Sequence, residues 1–190
     1  MAVEHRTRAG KTYYLHETLS STGRKRYHFS LKADGILAGS VPDGFEIYED
    51  IAMSQVFLRK IVACSVRDDE LALVARALRV HSGTWKHIAE AKTNAIVVHE
   101  ARNAERWSDE VLPGRASREV WEDVAARHAT YEPVLKFILA DEASRVFSAQ
   151  RWCFRGSGNW IWLDGAANLA DLVDRYVPHL GQEAFFDLPW

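Results

Sequence analysis

Three groups of side chains in this chain have the types and spacing to do chemistry. The first is cationic. Arg24, Lys25, Arg26 and His28 fall within five residues, Arg6, Arg8 and Lys11 precede them, and Tyr13, Tyr14, His16, Tyr27 and Phe29 are interleaved. Guanidinium groups neutralise phosphates and flat rings stack on bases, so this mixture suits an anionic polymer such as nucleic acid. The second group is Glu90-Ala91-Lys92, a carboxylate and an ammonium two residues apart, with Lys92 falling in the predicted turn of a hairpin, where it reads as a solvated loop residue. With Asp43, Asp68 or Asp69 as a partner acid, it could hold a divalent cation beside a lysine for phosphodiester hydrolysis. Seven lysines and twenty-six acids make about one such acid-x-Lys spacing expected by chance, so the motif alone carries little weight.

The third group is histidine-based. If residues 85–100 form a hairpin, a two-residue Thr93-Asn94 loop sets His87 opposite Glu100, and a three-residue loop from Lys92 sets it opposite His99. Two such ligands are half of a zinc site, and His81 or His128 would have to join them. The chain has no His-Glu-x-x-His, no paired Cys-x-x-Cys and no Gly-x-Ser-x-Gly element. Gly156-Ser157-Gly158 reads as a hairpin turn, because no helix follows it directly. Cys64 and Cys153 are too few for a disulfide framework and read as two reduced, buried thiols. No metal ion and no cofactor is expected.

The elements that must position these residues are mostly strands. Thr12–Thr18 and Lys25–Leu31 are strand-like around a Ser-Ser-Thr-Gly turn, and Phe45–Glu49 and Gln55–Cys64 follow. A helix over Arg67–Val80, capped by Ser65 with Asp68 three residues on, buries Leu71, Val74, Ala75 and Leu78. Trp85–Ala91 and Ala95–Glu100 form the hairpin. Ser117 starts a second helix through His128, with Val120, Trp121, Val124 and His128 on one face. Glu132–Ala140, Val146–Phe154 and Trp160–Leu163 form a meander, and a third helix from Asn168 buries Leu169, Leu172, Val173 and Tyr176 until Pro178 stops it. Strand runs punctuated by isolated helices predict an α+β fold, with antiparallel hairpin and meander sheets and about three helices packed on them. The chain reads as one compact unit over residues 1–190, or as a basic hairpin subdomain, 1–65, beside a body, 66–190.

Charge is divided between the same segments. Residues 1–32 carry seven Lys/Arg against two acids, and the remaining 158 carry seventeen against twenty-four. A basic head on an acidic body is the signature of a charged partner. No apolar run approaches the ~20 residues of a membrane span, and the first residues lack the pattern of a signal peptide. The expectation is therefore a cytoplasmic protein with no membrane partner.

The segments Thr22–Ser30, Val41–Glu49, Arg151–Leu163 and Tyr176–Leu188 resemble those of a bacterial family of hypothetical proteins with no assigned function. The resemblance spans most of the chain and implies no activity, ligand or residue role.

Loops of two or four residues between the first two strands give the same faces. Tyr14, His16, Lys25, Tyr27, Phe29 and Leu31 then form the core face. Tyr13, Leu15, Glu17, Arg24, Arg26, His28 and Ser30 form the solvent face. The candidate anion-binding set is Arg24, Arg26 and His28, with Arg6, Arg8 and Tyr13 nearby; the competing account is an edge strand whose charges discourage aggregation. Trp152, Phe154, Trp160 and Trp162 would line one side of a ribbon as core packing, or as a ligand platform if two or more tryptophans are partly exposed. The leading expectation is a non-enzymatic binding protein whose basic hairpin contacts nucleic acid or an acidic protein. The alternatives are a metal-dependent hydrolase or nuclease around residues 85–100, and an interaction protein forming a homo-oligomer through aromatic surface.

Overall fold

Residues 95–101, Ala-Ile-Val-Val-His-Glu-Ala, contain too little polar alternation for a half-exposed strand, which is what a strand covered on both faces looks like. In the computed structural model, which describes residues 2–83, 85–102, 118–153 and 158–186, that stretch is one of the inner strands of a five-stranded sheet. The fold is α+β. Strands β1 (Glu4–Arg6), β2 (Thr12–Leu19) and β3 (Lys25–Ser30) form one sheet, and β4 (Phe45–Glu49) pairs with β5 (Val56–Lys60). After helix α1 (Asp68–Ser82), five strands form an antiparallel meander: β6 (His87–Lys92), β7 (Ala95–Arg102), β8 (Thr130–Asp141), β9 (Val146–Cys153) and β10 (Asn159–Asn168). Helix α2 (Arg118–His128) interrupts the meander between β7 and β8, and α3 (Leu169–Tyr176) follows it.

One face of the five-stranded sheet carries the main core. Val74 and Leu78 of α1 and Leu172, Val173 and Tyr176 of α3 pack on Ile96, Val98, Leu135, Phe137 and Phe147. Helix α3 forms where its pattern says it should: Asn168 caps it by accepting the Ala170 N–H at 2.8 Å, and the four apolar positions are buried. Burying each such side chain contributes roughly 1.5–3 kcal/mol. Phe185 is buried in this core; residues 187–190 lie outside the described residues. A smaller cluster joins Trp85, Ala101, Ala125, Ala129 and Tyr131, with the Tyr131 hydroxyl donating to the Trp85 carbonyl at 2.6 Å.

Several expectations are corrected. Strand β1 was not expected; it pairs with β2, and residues 36–38 bond to Leu15 and Glu17 of β2 and to Val3 just before β1. Helix α1 starts at Asp68, and the Arg67 N–H is capped by Glu70 rather than by Ser65. Val120 and His128 of α2 face solvent; among the described side chains Ala125 is buried, as is Ala129 just after the helix, and the side chain of Trp121 lies outside the described residues. The expected Ser117 cap, Phe154 and the Gly156-Ser157 turn lie outside the described residues. Neither cysteine is buried: Cys64 is exposed in the β5–α1 connector and Cys153 is half-buried. Among the described residues no helix is long and apolar enough to cross a membrane.

The N-terminal strands are tied to the sheet by long-range polar contacts. Arg8 donates through Nη2 to the Ile51 carbonyl (3.0 Å), Ser54 Oγ (2.8 Å) and the Ala129 carbonyl (3.4 Å), and its guanidinium lies 4.6 Å from the Tyr131 ring centre. Glu49 accepts the Arg8 backbone N–H at 3.0 Å and faces His5 Nε2 at 3.1 Å. Tyr48 of β4 donates to Glu90 of β6 at 3.0 Å.

Candidate functional site

The cationic residues are set by the β2–β3 register, which differs from both expected registers by one residue. Leu19 pairs with Lys25, Glu17 with Tyr27, His16 with His28 and Leu15 with Phe29. The loop therefore has five residues, 20–24, closed by Ser20 N–H to the Arg24 carbonyl (2.8 Å) and by Gly23 at φ +74°. An odd loop inverts the face assignment. Arg26 and His28 stand with Tyr14 and His16, not with Tyr13 and Leu15. Leu15 is fully buried on the opposite face, beside Tyr27 and Phe29.

Arg24, Arg26 and His28 are exposed at this end of the hairpin. Among the described residues neither Arg24 nor Arg26 has an acidic partner. His28 stacks on the buried His16 with ring centres 5.0 Å apart, and His16 is fixed by Nε2 against the Lys32 carbonyl at 2.8 Å. Lys25 is different: it sits 2.8 Å from Glu17, which also accepts the Tyr27 hydroxyl, and the lysine bond holds the Glu17 carboxyl below its usual range. Arg6 lies opposite Thr12, while Arg26 lies opposite Thr18, about 20 Å further along β2. Tyr13 is half-buried on the other face, and Arg8 is engaged with Ile51, Ser54 and Ala129. The structure thus groups three of the six candidates and disperses Arg6, Arg8 and Tyr13.

Glu90 and Lys92 do share one face of β6, with Lys92 Nζ 3.0 Å from Glu90 Oε2. Lys92 ends the strand rather than occupying the turn. His99 Nε2 faces the same carboxylate at 3.3 Å, and Tyr48 donates to its other oxygen. Burial opposes ionisation of Glu90, but the contacts from His99, Lys92 and Tyr48 outweigh it and hold its pKa below the ordinary value. Tyr48 is pushed the other way, by burial first and by the Glu90 charge second. The candidate partner acids Asp68 and Asp69 lie in the first turn of α1. Among the described residues no three His, Cys, Asp or Glu side chains are grouped to hold a metal ion. The geometry serves to anchor β4 on the sheet.

The loop between β6 and β7 is the two-residue Thr93-Asn94, so His87 pairs with Glu100. His87 is buried; its Nδ1 is 2.6 Å from Ser82 Oγ at the end of α1, and its Nε2 faces Glu100 Oε1 at 3.4 Å. Ser82 Oγ also lies 3.1 Å from the Leu78 carbonyl. His81 flanks this group, with its ring centre 6.2 Å from that of His87 and its Nε2 on the Leu180 carbonyl at 3.0 Å. His81 also lines a groove of about 650 Å³ between α1 and α3. Ser82 was missed in the sequence because Ser82-Gly83 reads as a helix end.

The three tryptophans of β9 and β10, Trp152, Trp160 and Trp162, are partly exposed. Trp162 is 58% exposed, and Trp152 and Trp160 are half-buried and meet edge to face at 5.1 Å. Lys136 Nζ sits 4.2 Å from the Trp160 ring centre, and burial pushes its pKa down. Core packing therefore does not account for the whole cluster. No protein family, curated protein or solved structure matches this chain.

Proposed function

We propose that this is a binding protein whose β2–β3 hairpin end contacts the phosphates of nucleic acid. The observation that carries the reading is the state of its cations. Arg24 and Arg26 are exposed without an acidic partner among the described residues, next to the exposed His28, whereas the neighbouring Lys25 and Arg59 are held by Glu17 and Glu46. An arginine left unneutralised on an otherwise acidic chain is available to displace counterions from a phosphate backbone. The exposed thiol of Cys64 supports a reducing compartment, and the reading is of a cytoplasmic, bacterial protein.

The test is fluorescence anisotropy of a labelled oligothymidylate across a salt series. Three phosphate contacts give a slope of log affinity against log salt of about −2 for a single strand. Arg24→Glu/Arg26→Glu should abolish binding and leave the melting temperature unchanged. Binding retained by the double variant, or insensitive to salt, refutes the reading.

A second reading rests on Leu19, Leu31 and Ile36, which are 70%, 53% and 73% exposed around the first sheet, and on Trp162. Apolar surface of this kind favours an interaction protein that self-associates. Light scattering that finds a strict monomer at high concentration removes it.

A further inference from the structure

We propose that Ser82, His87 and Glu100 form an acyl-transfer centre for esters or thioesters with an apolar acyl chain. This inference is independent of the hairpin reading and uses none of its residues. Three facts carry it. A serine hydroxyl lies 2.6 Å from one nitrogen of an imidazole, a carboxylate faces the other nitrogen at 3.4 Å, and the imidazole nitrogen facing that carboxylate is buried without a hydrogen bond to any described group. A nucleophile, a base and a group that orients the base are the parts nucleophilic catalysis requires, and these contacts are often long before substrate binds.

The electrostatics fix the roles. The Glu100 carboxylate opposite Nε2 favours the tautomer with the proton on that nitrogen. Nδ1 then presents its lone pair to the Ser82 hydroxyl, which donates to the Leu78 carbonyl at 3.1 Å and rotates to donate to Nδ1 instead. Once His87 is protonated, Nδ1–H can donate back to the serine oxygen and Nε2–H to Glu100. The C-terminal end of α1, with its partial negative charge, adds a favourable field for the imidazolium.

The substrate class follows from the surroundings. Leu73, Ala77, Val80, Val173, Val177 and Pro178 line the groove beside His81, with Arg76 and Asp174 as its charged members, and Val80 is 85% exposed along it. An apolar acyl chain covers those side chains and brings its carbonyl towards the imidazole pair. In the first step Ser82 Oγ bonds to the acyl carbon and its proton passes to Nδ1 of His87. The bond from carbon to the leaving oxygen or sulfur then breaks, and His87 returns the proton to the departing alcohol or thiol. In the second step water attacks the acyl-serine ester, gives its proton to His87, and the carboxylic acid leaves as Ser82 Oγ is reprotonated. The net change is ester plus water to acid plus alcohol, with no oxidant or metal required.

The experiment is intact-mass analysis of the full chain after reaction with an alkyl fluorophosphonate, followed by peptide mapping. One phosphonyl adduct on Ser82 is expected, absent in Ser82→Ala. His87→Gln should slow labelling at least 100-fold, and Glu100→Gln should slow it and alter its pH profile while thermal melting stays cooperative. Hydrolysis of p-nitrophenyl butyrate should fall with labelling across the same variants. No adduct on Ser82 in folded protein, an adduct at another residue that persists in Ser82→Ala, or labelling of Ser82 at the same rate in His87→Gln overturns the proposal.

Discussion

The contact between Tyr48 and Glu90 is the sharpest test of how the N-terminal strands are held. Tyr48→Phe deletes one hydrogen bond to a buried carboxylate and changes nothing else in shape. A bond to a charged group is worth about 1.5–3 kcal/mol, so a loss of about 2 kcal/mol is expected. For a chain of this length that corresponds to a fall in melting temperature of roughly 4–8 °C. Glu90→Gln removes the charge that Lys92, His99 and Tyr48 all face, and should cost about 2–3 kcal/mol. If the hydroxyl acts through this carboxylate, the double variant falls short of the sum by about 1–1.5 kcal/mol.

The pH dependence has a definite sign. The folded pKa of Glu90 is depressed, so its contribution is fully present above the unfolded carboxylate value. It is lost as pH falls through the folded value. The phenol of Tyr48 is raised by burial and by Glu90, so it remains a donor over the neutral range and contributes no titration there. The difference between wild type and Tyr48→Phe should therefore shrink in acid. Urea denaturation of the four proteins at neutral pH and near pH 3 measures both effects. Additivity within 0.5 kcal/mol, or an unchanged gap in acid, would refute the argument.

Two further substitutions probe single elements. Asn168→Ala removes the side-chain cap of α3 and should cost about 1 kcal/mol in denaturant unfolding, with Asn168→Asp nearly neutral. Gly158→Ala places a Cβ 2.7 Å from Trp152 Cζ2 at a backbone φ of +68°. Together these should cost about 2 kcal/mol and shift tryptophan emission, since the ring must leave its edge contact with Trp160.

Local pattern was enough for the parts of the fold that local chemistry decides. Helix α3 shows this best, because Asn168, Leu169, Leu172, Val173 and Tyr176 carry both the cap and the stripe. The 85–100 hairpin and the three-strand meander after α2 were legible for the same reason, but their union through β7 and β8 into one five-stranded sheet was not, because the connection between them is long and carries α2. Strand β1 was not, because Glu4-His5-Arg6 has no strand character of its own and exists by pairing with β2. The hairpin register depended on one residue of loop length, and that residue exchanged the faces of every side chain on β3. Cys64 looked like core by type, yet the connector that carries it also leaves Ile61 and Val62 exposed.

The candidate sites divide along the same line. Pairs within one hairpin, such as His87 with Glu100, follow from register once the loop is fixed. Convergence between elements does not: Tyr48 reaches Glu90 from 42 residues away, and Ser82 meets His87 only because α1 ends over the sheet. Arg8 and Arg24 make the physical reason explicit. Both are arginines in a basic, aromatic-rich segment, and sequence gives each the same claim to a phosphate. Arg8 is taken up by Ser54, the Ile51 carbonyl and the Ala129 carbonyl, the last of these 121 residues distant, while no described acid approaches Arg24. Whether a cation is a binding residue is therefore set by the acceptors that folding brings to it, and the charge asymmetry of the chain identifies a segment rather than a site.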